Sequence, residues 1–244
     1  MKLRFLGCGD AFGSGGRLNT CFLVETRSAT FLIDCGASGL IAMRRFGIDP
    51  NRIGTVFVSH LHADHFGGLP FLLLDAQLYS RRNAPLTLVG PPGFHRRLME
   101  AMELFFPGSS TVQRKFSTEI REIGAGETNT INGISVTTYL VEHASGAPAL
   151  ALRFVCDGKV LAYTGDTQWT ENLVPLGRDA DLLIAETLFF DRQVKYHLDY
   201  RTLKTNLGRI GAKRVILTHM GPQMLDRIAQ VEEESADDGK LVEI

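Results

Sequence analysis

Short β-rich runs broken by glycine open the chain. Leu3–Leu6, Thr20–Thr26 and Thr30–Cys35 read as strands, separated by Gly-rich stretches at Gly7–Gly16 and Gly36–Gly39. A helix is predicted from Gly39 to Phe46. Strand and helix patterns then alternate: Gly54–Ser59 as a strand, Gly67–Ser80 as a helix, Leu86–Val89 as a strand and Gly93–Phe106 as a helix. Pro107–Thr118 is polar and irregular. A second set follows, with strands at Ile134–Val141, Ala149–Val155 and Lys159–Tyr163, the last two joined by the turn Asp157-Gly158. Asp181–Ala185 is a strand, Tyr200–Ile210 a helix, Arg214–Leu217 a strand, Gln223–Val231 a helix and Leu241–Ile244 a last short strand. Such alternation with added hairpins predicts an α/β fold of mixed sheets covered by helices. The acidic residues Glu232, Glu233, Glu234, Asp237 and Asp238 read as a solvated helix end and turn.

Composition narrows the class. The 244 residues are 44% hydrophobic and 22% charged, an ordinary globular balance, and no linker or repeat divides them. One domain over 1–244 is expected, large enough to need no disulfide staples. A formal charge of −1 argues against a sequence-independent grip on nucleic acid. The opening residues Met1–Gly7 lack a secretory pattern, and the apolar run Leu69–Leu74 is too short to span a membrane. Cys8, Cys21, Cys35 and Cys156 form no C-x-x-C pair and read as reduced core thiols of a cytoplasmic protein.

The positions of the histidines change the picture. Three apolar strands run directly into His60, His143 and His219, and two more lead to Asp166 and Glu186. In open α/β sheets, sites gather outside the carboxyl ends of strands. The cluster His60-Leu61-His62-Ala63-Asp64-His65 adds three imidazoles and a carboxylate within six residues. On an extended loop His60 and His62 point the same way, while Asp64 and His65 can turn to a neighbouring point. Gly67-Gly68 then permits a tight turn into the next helix. Imidazole nitrogen and carboxylate oxygen are what a zinc-like ion accepts in an open catalytic site. His95, alone on a polar helix face, reads as an ordinary surface histidine.

The cluster, His143, Asp166 within Thr164-Gly165-Asp166-Thr167, and His219 within Leu217-Thr218-His219 resemble the metallo-β-lactamase superfamily, in its motif order and over nearly the whole chain. The resemblance implies an αββα sandwich of two mixed β-sheets with a binuclear metal site at one edge. It implies that His60, His62 and His143 hold one divalent ion, that Asp64, His65 and His219 hold the other, and that Asp166 bridges them. Zinc is the expected metal, with manganese or iron as alternatives. Two such ions share a water and lower its pKa to about 7, giving a bridging hydroxide as nucleophile.

The branch decides the function. A cysteine stands at the position of Asp166 in the best-known true β-lactamases, and a carboxylate at that of His62 in flavodiiron oxidoreductases. Glyoxalase II shares the metal residues but carries a C-terminal helical region, for which the 25 residues after His219 are too few. Lys195-Tyr196-His197-Leu198-Asp199 resembles the extra histidine motif of ribonuclease Z and of the phosphodiesterase that opens phosphoribosyl cyclic phosphate. That resemblance implies that His197 faces the metals and that Glu186 orients it. The opening loop, with Arg17 and Asn19, resembles the same branch and offers two groups for a substrate phosphate. Only 22 residues separate His143 from Asp166, where bacterial ribonuclease Z has a long tRNA-gripping insertion, and Ala185 replaces the histidine before its glutamate. The expectation is therefore a phosphodiesterase for a small or cyclic phosphodiester. An acyl hydrolase on the same site (thioesterase or lactonase) and a ribonuclease Z-like endonuclease are the alternatives. A homodimer is expected by analogy with the same branch.

Overall fold

The computed structural model describes all of residues 1–244, and its strands form two seven-stranded sheets. In the first, β1 (Lys2–Gly7), β2 (Cys21–Glu25) and β3 (Thr30–Ile33) pair antiparallel in turn. Three more strands extend this sheet in parallel: β4 (Thr55–Phe57), β5 (Leu86–Gly90) and β6 (Thr118–Glu122). In the second sheet, β7 (Thr128–Ile131), β8 (Ile134–Val141), β9 (Ala149–Cys156) and β10 (Lys159–Tyr163) form an antiparallel half. To it β11 (Leu182–Glu186), β12 (Val215–Thr218) and β13 (Glu234–Ser235) add in parallel. The chain then returns to the first sheet as β14 (Leu241–Glu243) beside β1. The β9–β10 register is set by Asp157 and Gly158, both at positive φ (53° and 73°), as a two-residue hairpin turn requires.

Each strand's sequence follows from what covers it. β8 lies with one face inward and alternates between buried and half-buried residues from Ile134 to Tyr139, before an exposed Leu140. β11 is covered on both faces, so Leu182, Leu183, Ile184 and Ala185 are all apolar. Between the sheets, Phe31 and Phe57 of the first pack on Phe154 of the second at centroid distances of 5.3 and 5.1 Å. The outer face of the first sheet packs on α1 (Gly39–Arg45), α3 (Leu69–Leu78) and α4 (Phe94–Phe105). That of the second packs on α5 (Leu173–Gly177), α6 (Tyr200–Ile210) and α7 (Pro222–Asp226). The layer order is therefore αββα. No helix is long and apolar enough to cross a membrane. All four cysteines are buried and free.

The topology also fixes where chemistry can gather. β8 and β10 are both antiparallel to β9, so they run the same way, and β11 and β12 are parallel to β10. All four strands therefore end at one edge of their sheet. β3 and β4, mutually parallel, end together in the other sheet.

Several expectations need correction. The helix predicted over Gly67–Ser80 begins at Leu69, and a separate single turn, α2 (Ala63–Phe66), precedes it across Gly67 and Gly68. Gly68 cannot carry a side chain, because a Cβ there would lie 2.2 Å from the Gly36 carbonyl oxygen. The helix predicted over Gln223–Val231 is α7 followed by a 3-10 turn at Ile228–Gln230. The acidic segment is not a solvated helix end. Glu234 lies in β13 and forms ion pairs with Arg214 and Lys240, while Glu233 accepts from Tyr200 Oη (2.6 Å) and Lys204 Nζ (2.6 Å). Asp238 accepts the backbone N–H groups of Cys8 (3.1 Å) and Leu18 (2.8 Å), tying this segment to the opening loop.

Candidate metal centre

The common edge brings together residues far apart in sequence. His60 follows the β4 segment, and His62 sits in extended conformation (φ −85°, ψ 150°) at the start of α2. Their rings lie 5.0 Å apart. α2 then turns Asp64 and His65 toward a second point. His143 comes from the end of β8, Asp166 from beyond β10, and His219 (φ 57°) from the end of β12. His60, His62 and His143 offer nitrogen atoms within 4.8 Å of one another, and so do the donor atoms of Asp64, His65, Asp166 and His219. Asp166 reaches both groups: its carboxylate lies 3.2 Å from His219 Nε2, 3.4 Å from His65 Nε2, and 4.0 Å from both His60 Nε2 and His143 Nε2.

The donor set fits divalent cations. His60 Nε2, His65 Nε2 and Asp166 Oδ1 are buried without a hydrogen-bond partner, which is costly unless something else engages them. Each points at other donor atoms of the cluster rather than at solvent. Second contacts orient the rings, as metal-binding imidazoles require. Ser59 Oγ lies 3.1 Å from His60 Nδ1, and the Tyr196 carbonyl accepts from His143 Nδ1 at 2.9 Å. Asp34 Oδ2 accepts from His65 Nδ1 at 2.7 Å, and the same carboxylate takes the backbone N–H and the hydroxyl of Ser59.

Electrostatics differ across the cluster. Burial pushes His60 and His143 below the ordinary histidine range, helped by neighbouring imidazoles. Burial also opposes charge on His65 and His219, but there Asp166 and Asp64 outweigh it. His65 is held well above its ordinary value and His219 is raised to about 9. Burial disfavours the Asp64 carboxylate, yet His65 and His219 hold its pKa below the usual range.

A further group adjoins these. Asp166, Glu186, His197 and His219 also place donor atoms within 4.8 Å of one another. Glu186, fully buried at the end of β11, accepts from His197 Nδ1 at 3.0 Å and from the Thr167 backbone N–H. Burial opposes the charged form of His197, but the Glu186 carboxylate prevails and raises the imidazole's pKa. The His197 ring stacks on His219 at 5.9 Å and 12°.

Two sequence-derived candidates do not join the cluster. Arg17 is engaged by Asp237 (2.6 Å), and the Asn19 side-chain amide donates to the Asp10 carbonyl (3.2 Å). Both groups brace the opening loop. His95 lies on α4, where its backbone N–H donates to Glu122. The sequence reading missed Asp34. The signal was available, since Phe31-Leu32-Ile33 runs into Asp34 as other strands run into His60 and Glu186.

Fold and donor set define a metal-dependent hydrolase of the metallo-β-lactamase superfamily, in its ribonuclease Z branch. Within it the chain belongs to the family Anti-Pycsar protein Apyc1, whose model matches residues 1–237. A ribonuclease Z from Geobacillus kaustophilus (strain HTA426) is 27% identical over 278 residues, covering 90% of this chain and 88% of its own. The short form of human tRNase Z is similar in structure at a TM-score of 0.80 and 24% identity, over 100% of this chain and 99% of that one. A diphosphatase of the PhnP family gives a TM-score of 0.79 at 18% identity, over 100% and 97% of the two chains.

Proposed function

We propose that the chain is a phosphodiesterase acting on a small or cyclic phosphodiester, with residues 1–244 working as one unit. Four buried free thiols suit a reducing cytoplasm. His60, His62 and His143 would hold one divalent ion, and Asp64, His65 and His219 a second, with Asp166 between them. This mixture of imidazole and carboxylate suits zinc, with manganese or iron as alternatives. When bound, such ions polarise phosphoryl oxygens and lower the pKa of water.

The chain's own groups do the rest. Asp64 accepts a hydrogen from the attacking water at its carboxylate. Glu186 occupies Nδ1 of His197 and favours its protonated form. Nε2 of His197 is then the atom that donates to a phosphoryl oxygen or to the departing alkoxide. One observation carries the reading: an imidazole with its own buried carboxylate adjoins the cluster, its donor atom within 4.8 Å of those of Asp166 and His219. His197→Ala should keep its metal and lose roughly 10²–10⁴-fold in turnover on bis-p-nitrophenyl phosphate, the scale of general acid catalysis. Unchanged turnover would remove His197 from the reaction. Faster turnover of thioesters or lactones by the unaltered protein would favour the acyl hydrolase instead.

A ribonuclease Z-like reading draws support from relatives of that name that align over 90% of this chain. Against it stands the segment between His143 and Asp166, which β9 and β10 fill without any protruding insertion. Cleavage of a tRNA precursor faster than of small phosphodiesters would reverse this preference.

A further inference from the structure

Gln168 lies two residues beyond Asp166 and is only half-buried, a place where a glutamine is usually solvated. Here both ends of its amide are used. Nε2 donates to Glu142 Oε2 at 2.6 Å, and Oε1 accepts the backbone N–H of Tyr196 at 3.0 Å. Only this orientation satisfies both partners, because a carboxylate cannot donate and a backbone N–H cannot accept. The backbone of Gln168 is anchored as well, its N–H donating to the Glu142 carbonyl at 3.2 Å.

The peptide it grips is unusual. Tyr196 has φ 74°, in the left-handed region that a bulky side chain enters at a cost. Something must hold it there, and the Gln168 carbonyl oxygen is the side-chain group bonded to its N–H. The result is used on both sides. The Tyr196 carbonyl accepts from His143 Nδ1 at 2.9 Å, which places the proton on Nδ1 and leaves Nε2 as an acceptor facing the cluster, 3.0 Å from His62 Nδ1. The next residue is His197, whose ring lies 5.0 Å from that of His143. One peptide therefore orients a predicted metal-binding histidine and the predicted proton donor together.

We propose that Gln168 is a positioning residue: by holding Tyr196 in its left-handed turn it sets the tautomer of His143 and the reach of His197 from a single point. This rests on the phosphodiesterase reading only for the role of His197. The bond to Tyr196 and the orientation of His143 stand apart from it. Removal of the side chain need not unfold the segment, because Thr167 is held independently. Its hydroxyl accepts the Glu142 N–H at 3.0 Å, and its own N–H donates to Glu186.

The test uses the full-length, metal-loaded protein with three variants and two readouts. Gln168→Ala should lower kcat roughly 10–100-fold with KM little changed, the signature of a misplaced group rather than of lost substrate binding. The Tyr196 amide hydrogen should exchange at least about tenfold faster, because its acceptor is gone. Gln168→Glu alone keeps an acceptor for Tyr196 but sets two carboxylates together, so it should show a partial loss. Combining it with Glu142→Gln restores the pairing in reverse and should bring kcat and exchange back to within about threefold. Wild-type exchange at Tyr196 in Gln168→Ala, or a loss that the reciprocal pair does not repair, would overturn the proposal. A wild-type protein inert toward every phosphodiester would overturn the functional reading instead, leaving the Tyr196 exchange rates to decide the role of Gln168.

Discussion

The two halves of the centre are built from different materials. His60, His62 and His143 form an all-imidazole half, supported by a hydroxyl and a backbone carbonyl. The other half mixes His65 and His219 with Asp64 and Asp166, and a third carboxylate, Asp34, stands behind His65. The mixed half compensates its own charge: its carboxylates favour protonated imidazoles, and those imidazoles favour ionised carboxylates. In the imidazole half burial outweighs the pull of Asp166, 4.0 Å away, and disfavours a proton on His60 and His143. A cation would therefore do different work in the two places. In the imidazole half it would supply a positive charge that the nitrogen atoms of His60, His62 and His143 could face. In the mixed half it would replace protons that the carboxylates otherwise hold on His65 and His219.

Asp166 is where the two halves meet, so its loss should have the largest consequence. Asp166→Ala is expected to release metal from both halves and to reduce turnover by at least roughly 10²–10³-fold, the scale of losing a principal electrostatic contact. Elemental analysis beside turnover decides the point. Full metal content in that variant would mean that the halves are independent sites. A smaller and more local effect is expected at Asp34. Asp34→Asn should weaken metal affinity about 10–100-fold, as loss of a carboxylate behind a metal-bound histidine does. The loss should fall mainly on one equivalent of metal, because Asp34 accepts directly from His65 and reaches His60 of the imidazole triad only through Ser59. Chelator titration that shows two equally weakened equivalents would contradict the division.

The same contrast explains what could be read from the sequence. The segment from His60 to His65 is local, so period-two geometry and a single helical turn suffice to place its donors. His143, Asp166, Glu186 and His219 were legible because each ends an apolar run, and strand ends share an edge. Asp34 obeys that rule and was passed over, since a lone acid after a strand looks like turn chemistry. Gln168 and Tyr196 were not legible. Their bonds run from a side chain to the backbone of a distant loop, and no periodicity records such a contact. The edge strands β6 and β7 escaped for a related reason. Thr118–Glu122 and Thr128–Ile131 are largely polar because each closes a sheet against solvent, which removes the apolar alternation that marks a strand.

The finest consequence concerns stability and pH. In metal-free protein, His219 is raised to about 9, so its contribution is fully present below the unfolded value near 6.5 and is lost as pH rises through about 9. His65 is shifted in the same direction. His60 and His143 are shifted downward, so their cost appears only as pH falls below about 6.5. As pH rises from about 6.5, the metal-free protein should therefore lose stability through His65 and His219 of the mixed half, and also through His197, whose pKa Glu186 raises in the same direction. In loaded protein a cation would take the place of the protons on His65 and His219, and the slope over this window should flatten. Thermal melts of loaded and chelated protein at pH 6.5 and pH 9 measure the difference. The gap in Tm should widen toward pH 9 by about 2–8 °C, the shift that one or two kcal/mol produces in a chain of this size. A gap that narrows over the same window would mean that the carboxylates of the mixed half do not hold protons on His65 and His219.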